Sequence, residues 1–173
     1  MVVGDRHLWK KLIMSQSDKI SGNQKRKIRS ATRLYIIQAL FQMEQMSQSV
    51  DQVAEEFITH RFAANYEEGQ MLAGDETFFK SILGAAVNYQ ASIDQLTDRA
   101  LVEKWPIARI DPTLRSLFRS AAAEILQIKT PPKIVIAEYV ALAHAFFPDD
   151  KEPNFVNAVL DHMAREACPN EFS

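Results

Sequence analysis

The chain has 173 residues, 47% of them hydrophobic and 24% charged, with a formal net charge of -2. That length suits one domain with a buried core, and the composition excludes disordered and collagen-like chains. A near-neutral balance also excludes a protein that coats nucleic acid over its whole surface, so any such contact must be local.

Cys168 is the only cysteine, so neither an intramolecular disulfide nor a Cys-rich zinc site is available, and a reducing compartment is expected. No apolar run approaches the roughly 20 residues of a membrane span, and the N-terminus lacks the apolar core of a secretory signal. These features predict a cytoplasmic protein.

Residues 1–24 pass from a short apolar patch (Leu8, Trp9, Leu12, Ile13) to a polar stretch ending in Ser21-Gly22-Asn23 and read as an extension before the domain. The domain is expected over 25–167, with 168–173 as a tail. From Lys25 onward the pattern is helical, and strand alternation is hard to find. Ser30 to Met46 and Val50 to Phe62 predict two helices separated by Ser47-Gln48-Ser49. Residues 63–75 have the glycines and polarity of a loop. Asp75 is placed to cap a helix carrying Phe78, Phe79, Ile82, Leu83, Ala86 and Val87 on one side.

Ser92 and Gln95 have the spacing of a capping box, opening a short helix that Trp105-Pro106 ends. Asp111 precedes Pro112 as cap and first helical residue, where the missing N–H costs nothing. Thr130-Pro131-Pro132 repeats that device before KIVIAEYVALAHAFF, whose apolarity predicts a central helix buried on more than one side. Pro148, Asp149 and Asp150 make a loop, and a last amphipathic helix carries Phe155, Val156, Val159, Leu160 and Met163. The whole reads as an all-α bundle of about seven helices.

Within KRKIRSATRLYIIQALF, residues 25–41, five cations stand with no acid. On a helical wheel Lys25, Arg26, Arg29 and Arg33 share an arc of about 100°. Cations near a helix N-terminus oppose the macrodipole, which favours anions there. Two readings are open: a contact to a phosphate backbone, or a solvated helix end rich in Lys and Arg.

No Gly-rich phosphate loop occurs, the four histidines are scattered without an HExxH, and Cys168 lacks a positioned base. A non-enzyme without cofactor or metal is expected. Glu124 and Glu138 lie within apolar helices and need partners, for which Arg109, Arg115 and Arg119 are the candidates.

Four segments in order, TRLYIIQALF (32–41), IDPTLRSLFRSAAAEIL (110–126), PPKIVIAEYVALAHAFF (131–147) and NFVNAVLD (154–161), resemble the NusB family of bacterial transcription antitermination factors. Phe155 to Asp161, FVNAVLD, is the most specific stretch, against F-V-N-G-V-L-D in the family. The resemblance implies a NusB-like fold of two three-helix sub-bundles and a non-catalytic, RNA-binding role. It also implies two partners, ribosomal protein NusE and the boxA element of rRNA leaders, within the RNA polymerase antitermination complex.

By the same resemblance, Lys25, Arg26, Arg29, Arg33 and Lys133 are the expected RNA contacts, and Phe41 and Leu114 the expected NusE-facing residues. Ser30 and Ala31 stand where the family usually carries arginines, Ala137 replaces an Asn, Phe41 a Tyr and His144 a common Lys. The thinner cationic stripe keeps open an alternative, a protein-interaction adaptor or homodimer of the same fold with weak or no specific RNA binding.

Overall fold

The computed structural model describes residues 21–67, 69–148 and 151–173. The apolar patch of the N-terminal extension and the acids Asp149 and Asp150 lie outside the described residues. Helix α1 spans Gly22–Met46 and starts earlier than the periodicity predicts, because Ser21 accepts a hydrogen bond from the Gln24 amide and caps it. Helix α2, Val50–Glu56, opens on a capping box formed by Ser49 and Gln52 and continues as a widened turn, Phe57–Arg61. The segment expected as a loop holds a two-residue hairpin, with Asn65 opposite Gln70 and Tyr66 opposite Gly69.

Asp75 caps α3, Glu76–Asn88, by accepting from the Phe78 amide, as the sequence predicts. Helix α4, Gln90–Ala100, follows after Tyr89 alone, so Ser92 lies inside a helix and opens nothing; α4 also ends five residues before Trp105. Helix α5, Pro112–Ala123, has Asp111 as its cap, with the carboxylate accepting from the Thr113 amide at 2.7 Å, and it continues as a widened turn over Glu124–Ile128. Helices α6, Pro132–Phe146, and α7, Glu152–Ala167, complete the bundle.

Helices α1 to α3 form one three-helix unit, and α4, α6 and α7 gather on the other side of α5. The centre is therefore α5 and not α6. Leu117, Phe118 and Ala121 to Ala123 are all sealed, and the small Ser116 and Ser120 are buried with them. Small residues on several faces let neighbouring backbones approach from every side. Helix α6 keeps a solvent face in Lys133, Ile134, Ala137, Ala141 and His144, so its high apolarity does not make it central. Among the described residues, no helix is long and apolar enough to cross a membrane.

Polar ties fix the helices' registers. Glu44 on α1 accepts from Arg115 Nε at 2.8 Å and Arg119 Nη1 at 3.1 Å on α5, and Arg119 in turn grips Asp94 on α4 through two parallel bonds of 2.9 and 2.8 Å. Charge-assisted, bidentate contacts of this kind are stronger than neutral ones. Arg115 also donates to the Ile107 and Ile110 carbonyls and so pins the α4–α5 connection. The hydrogen bond from Arg115, with its charge and that of Arg119, holds the Glu44 carboxyl below its ordinary value of 4.5 against an opposing effect of burial.

A folded-state pKa below the unfolded one gives stability that is present above the unfolded value and lost as pH falls through the folded value. The wild type is expected to exceed Glu44→Gln by about 1–2 kcal/mol at neutral pH. Urea melts from pH 7 downward should show that gap closing below the unfolded carboxylate range; a gap independent of pH would mean the ion pairs contribute nothing.

Candidate nucleic-acid interface

Arg33 is 3% exposed and Glu124 is 0% exposed, and neither can be buried alone at tolerable cost. They meet between α1 and α5, where Arg33 Nε donates to Glu124 Oε2 at 3.0 Å and Nη2 to Oε1 at 2.7 Å. Burial works to lower the guanidinium's pKa, but the hydrogen bond and charge of Glu124 hold it above its ordinary value. The third nitrogen, Nη1, faces Glu138 Oε2 on α6 at 3.5 Å. That same oxygen accepts from Ser30 Oγ at 2.6 Å.

Below this network, Ser120 Oγ and the Tyr139 hydroxyl lie 2.6 Å apart, and burial pushes the Tyr139 phenol well above its usual range. A neutral phenol therefore joins α6 to α5. The Phe78 ring of α3 receives two guanidinium groups, Arg29 at 4.6 Å and Arg33 at 5.2 Å from its centroid. Both distances are within the range of a cation–π contact.

The assignment of Arg33 to the solvent-facing stripe needs correction. Its donors are engaged by two carboxylates and its surface is nearly covered, so it lines the floor of the cleft and is not one of the exposed cations. A helical wheel gives direction around an axis and not depth, which is why Arg33 reads as one of the stripe. Glu124 and Glu138 do pair, but with Arg33; Arg115 and Arg119 are engaged by Glu44 and Asp94.

The remaining cations open to solvent. Lys25, Arg26 and Arg29 are exposed on α1 and Lys133 is exposed at the start of α6. Arg26, Arg29 and Lys133 line one cleft of about 760 Å³ with Ile128, Pro131, Ile134, Ala137 and Glu138. Lys25 does not line it. Backbone geometry builds the far wall: the widened turn ends at Lys129 in the left-handed region (φ 63°), and Thr130-Pro131-Pro132 then starts α6. The cleft has cationic edges, an apolar wall and one partly exposed carboxylate. Ile134 and Glu138, four residues apart on α6, went unnoticed as site residues, although an exposed isoleucine and a carboxylate at that spacing share a face.

Leu114 and Phe41 fall in separate depressions. Leu114 is nearly buried beside a groove that it lines with Trp105, Arg109, Ile110 and Phe155, whereas half-buried Phe41 lines a hollow with Gln38, Met46 and Phe57. Trp105 is 63% exposed at the edge of its groove.

Three comparisons agree on kinship. The family model described as NusB family matches residues 30–165. The transcription antitermination protein NusB of Maricaulis maris is 40% identical over 161 residues, covering 92% of this chain and 100% of that protein. Its counterpart in Granulibacter bethesdensis is 39% identical over 157 residues, covering 87% and 96%. Among solved structures, NusB of T. maritima superposes with a TM-score of 0.68 at 26% identity, covering 83% of this chain and 96% of that one. A structure described as antitermination factors NusB and NusE in complex with dsRNA shares the fold at a TM-score of 0.65 and 20% identity, covering 79% and 96%.

Replacing Arg33 with Met leaves the buried Glu124 carboxylate uncompensated, at an expected cost of about 3–5 kcal/mol. Adding Glu124→Leu should restore much of that loss. Chemical denaturation of the single and double variants checks both values, and additive losses would show that the two groups are not coupled.

Proposed function

The chain belongs to the NusB family, and from that premise we propose that it is a transcription antitermination factor that binds boxA RNA of rRNA leaders together with ribosomal protein NusE. The observation that carries the RNA-contact assignment is the convergence of Arg26 and Arg29 from α1 with Lys133 from α6 on one cleft. Cations from two elements around a common opening give a phosphate backbone a defined path, which a single solvated helix end does not. Lys25 extends that path along α1.

The proposed role is to hold and orient a strand in the cleft. Partner binding falls to two depressions other than the cleft. Leu114, beside exposed Trp105, and Phe41, on the accessible part of α1, are the proposed NusE-facing residues.

A second reading has one specific observation in its favour. Arg33 is neutralised by Glu124, and Glu138 subtracts from the charge of the cleft, so only three solvent-facing cations line it. An adaptor or homodimer that holds NusE and grips RNA weakly follows from so small a charge.

Salt-dependent binding decides between them. The triple substitution Arg26→Gln, Arg29→Gln, Lys133→Gln is expected to lower affinity for a boxA RNA and to flatten the salt dependence by roughly 2 in log–log slope, from ~0.7 per phosphate contact on a single strand. Helicity and NusE binding should be retained. Equal affinities and slopes for the wild type and the triple variant, with NusE still bound, would leave the adaptor reading in place.

A further inference from the structure

We propose that the Glu138 carboxylate reads the base of an unpaired nucleotide seated in the cleft, selecting a base that carries an exocyclic amine over uracil. The inference rests on the RNA reading above and adds a specificity-determining residue to it. Among the described residues, Glu138 is the only carboxylate lining the cleft, and the other charged lining groups are cations. Its carboxylate is held firmly on one side: Oε2 accepts from Ser30 Oγ at 2.6 Å and faces Arg33 Nη1 at 3.5 Å. Its Oε1 accepts no hydrogen bond from any described residue, and the side chain is 25% exposed.

The surroundings fit a nucleotide. Ile134, at 49% exposure, lies one helical turn before Glu138 on α6, with Ala137 beside it and Pro131 and Ile128 completing an apolar wall for the face of a base. Arg26, Arg29 and Lys133 take the phosphates. Single-stranded RNA is read on such splayed bases by their Watson–Crick edges. A free carboxylate oxygen accepts from the amino group of cytosine, as acidic side chains do toward cytosine N4. Uracil offers only N3–H, flanked by two carbonyl oxygens that repel a carboxylate.

The fixed side of Glu138 makes a reversal testable. In Glu138→Gln, the hydroxyl of Ser30 and the guanidinium of Arg33 are both donors and keep the amide oxygen at the place of Oε2. The amide nitrogen is then left facing the cleft, where it donates to a carbonyl such as uracil O4.

The experiment measures fluorescence anisotropy of the whole chain in complex with NusE, with single-stranded hexamers of cytidine, of uridine and of N4,N4-dimethylcytidine at low salt and neutral pH. The wild type is expected to bind the cytidine hexamer roughly tenfold more tightly than the uridine one. That advantage should be lost on dimethylation, which removes the donor. Glu138→Gln should reverse the order, and Glu138→Ala should abolish the difference. Equal binding of cytidine and uridine by the wild type, or an unchanged order in Glu138→Gln, overturns base reading while leaving the phosphate contacts intact. Failure of all three hexamers to bind overturns the RNA assignment of the cleft and base reading with it.

Discussion

The arrangement depends on one buried charge. An arginine sealed from water must have its guanidinium neutralised and its donors satisfied, or the fold loses several kcal/mol. Arg33 meets both needs by reaching Glu124 on α5 and Glu138 on α6 while its face lies against Phe78 of α3. Four helices are thus registered on one planar group. Together with the Glu44 ties near the other end of α1, the pairing sets α1 and α5 antiparallel, since residue 33 meets 124 and residue 44 meets 115 and 119.

The cleft inherits its shape from that network. Arg26 and Arg29 extend from the part of α1 that precedes Arg33, and Lys133 comes from the first turn of α6. The distance between those two sets of cations is governed by what holds α6 to α1 and α5: Glu138 with Ser30 and Arg33, and Tyr139 with Ser120. Neighbouring residues on α6 therefore do different work, Glu138 partly open to the cleft and Tyr139 wholly buried. A cation-lined opening whose walls are tied by buried polar groups is preorganised, and less conformational freedom is lost when a strand enters it.

Much of the fold was legible because helix ends are written in local chemistry. Asp75 and Asp111 sit before their helices with side chains able to accept from the first-turn amides, and both do so. The family segments likewise occur in an order that few other folds would produce. The misread elements share a cause, since periodicity describes a helix by itself and burial depends on what packs against it. Arg33 shares an arc with exposed cations yet lies deeper, while α6 looks fully buried yet contributes Ile134 and Ala137 to an open wall. The choice of Arg33 over Arg115 or Arg119 as partner for Glu124 is a long-range pairing across 91 residues, beyond the reach of any local pattern. The start of α1 was misread as part of the extension, although Ser21 stands three residues before Gln24, whose amide it caps.

Packing also accounts for the thin cationic stripe. Ala31 is 1% exposed and belongs to the core, so an arginine there would have to be buried or displace the helices around α1. Ser30 is committed to Glu138, a contact that needs a short side chain carrying a donor. At these two positions the chain makes contacts in the interior and presents no cation. That arrangement limits the sequence-independent attraction to phosphate, which grows with the number of cations in contact. It also leaves a firmly held carboxylate at the base of the cleft. With less attraction common to all RNAs, a larger share of binding free energy must come from base contacts and from the protein partner, and those are the terms that distinguish one RNA from another.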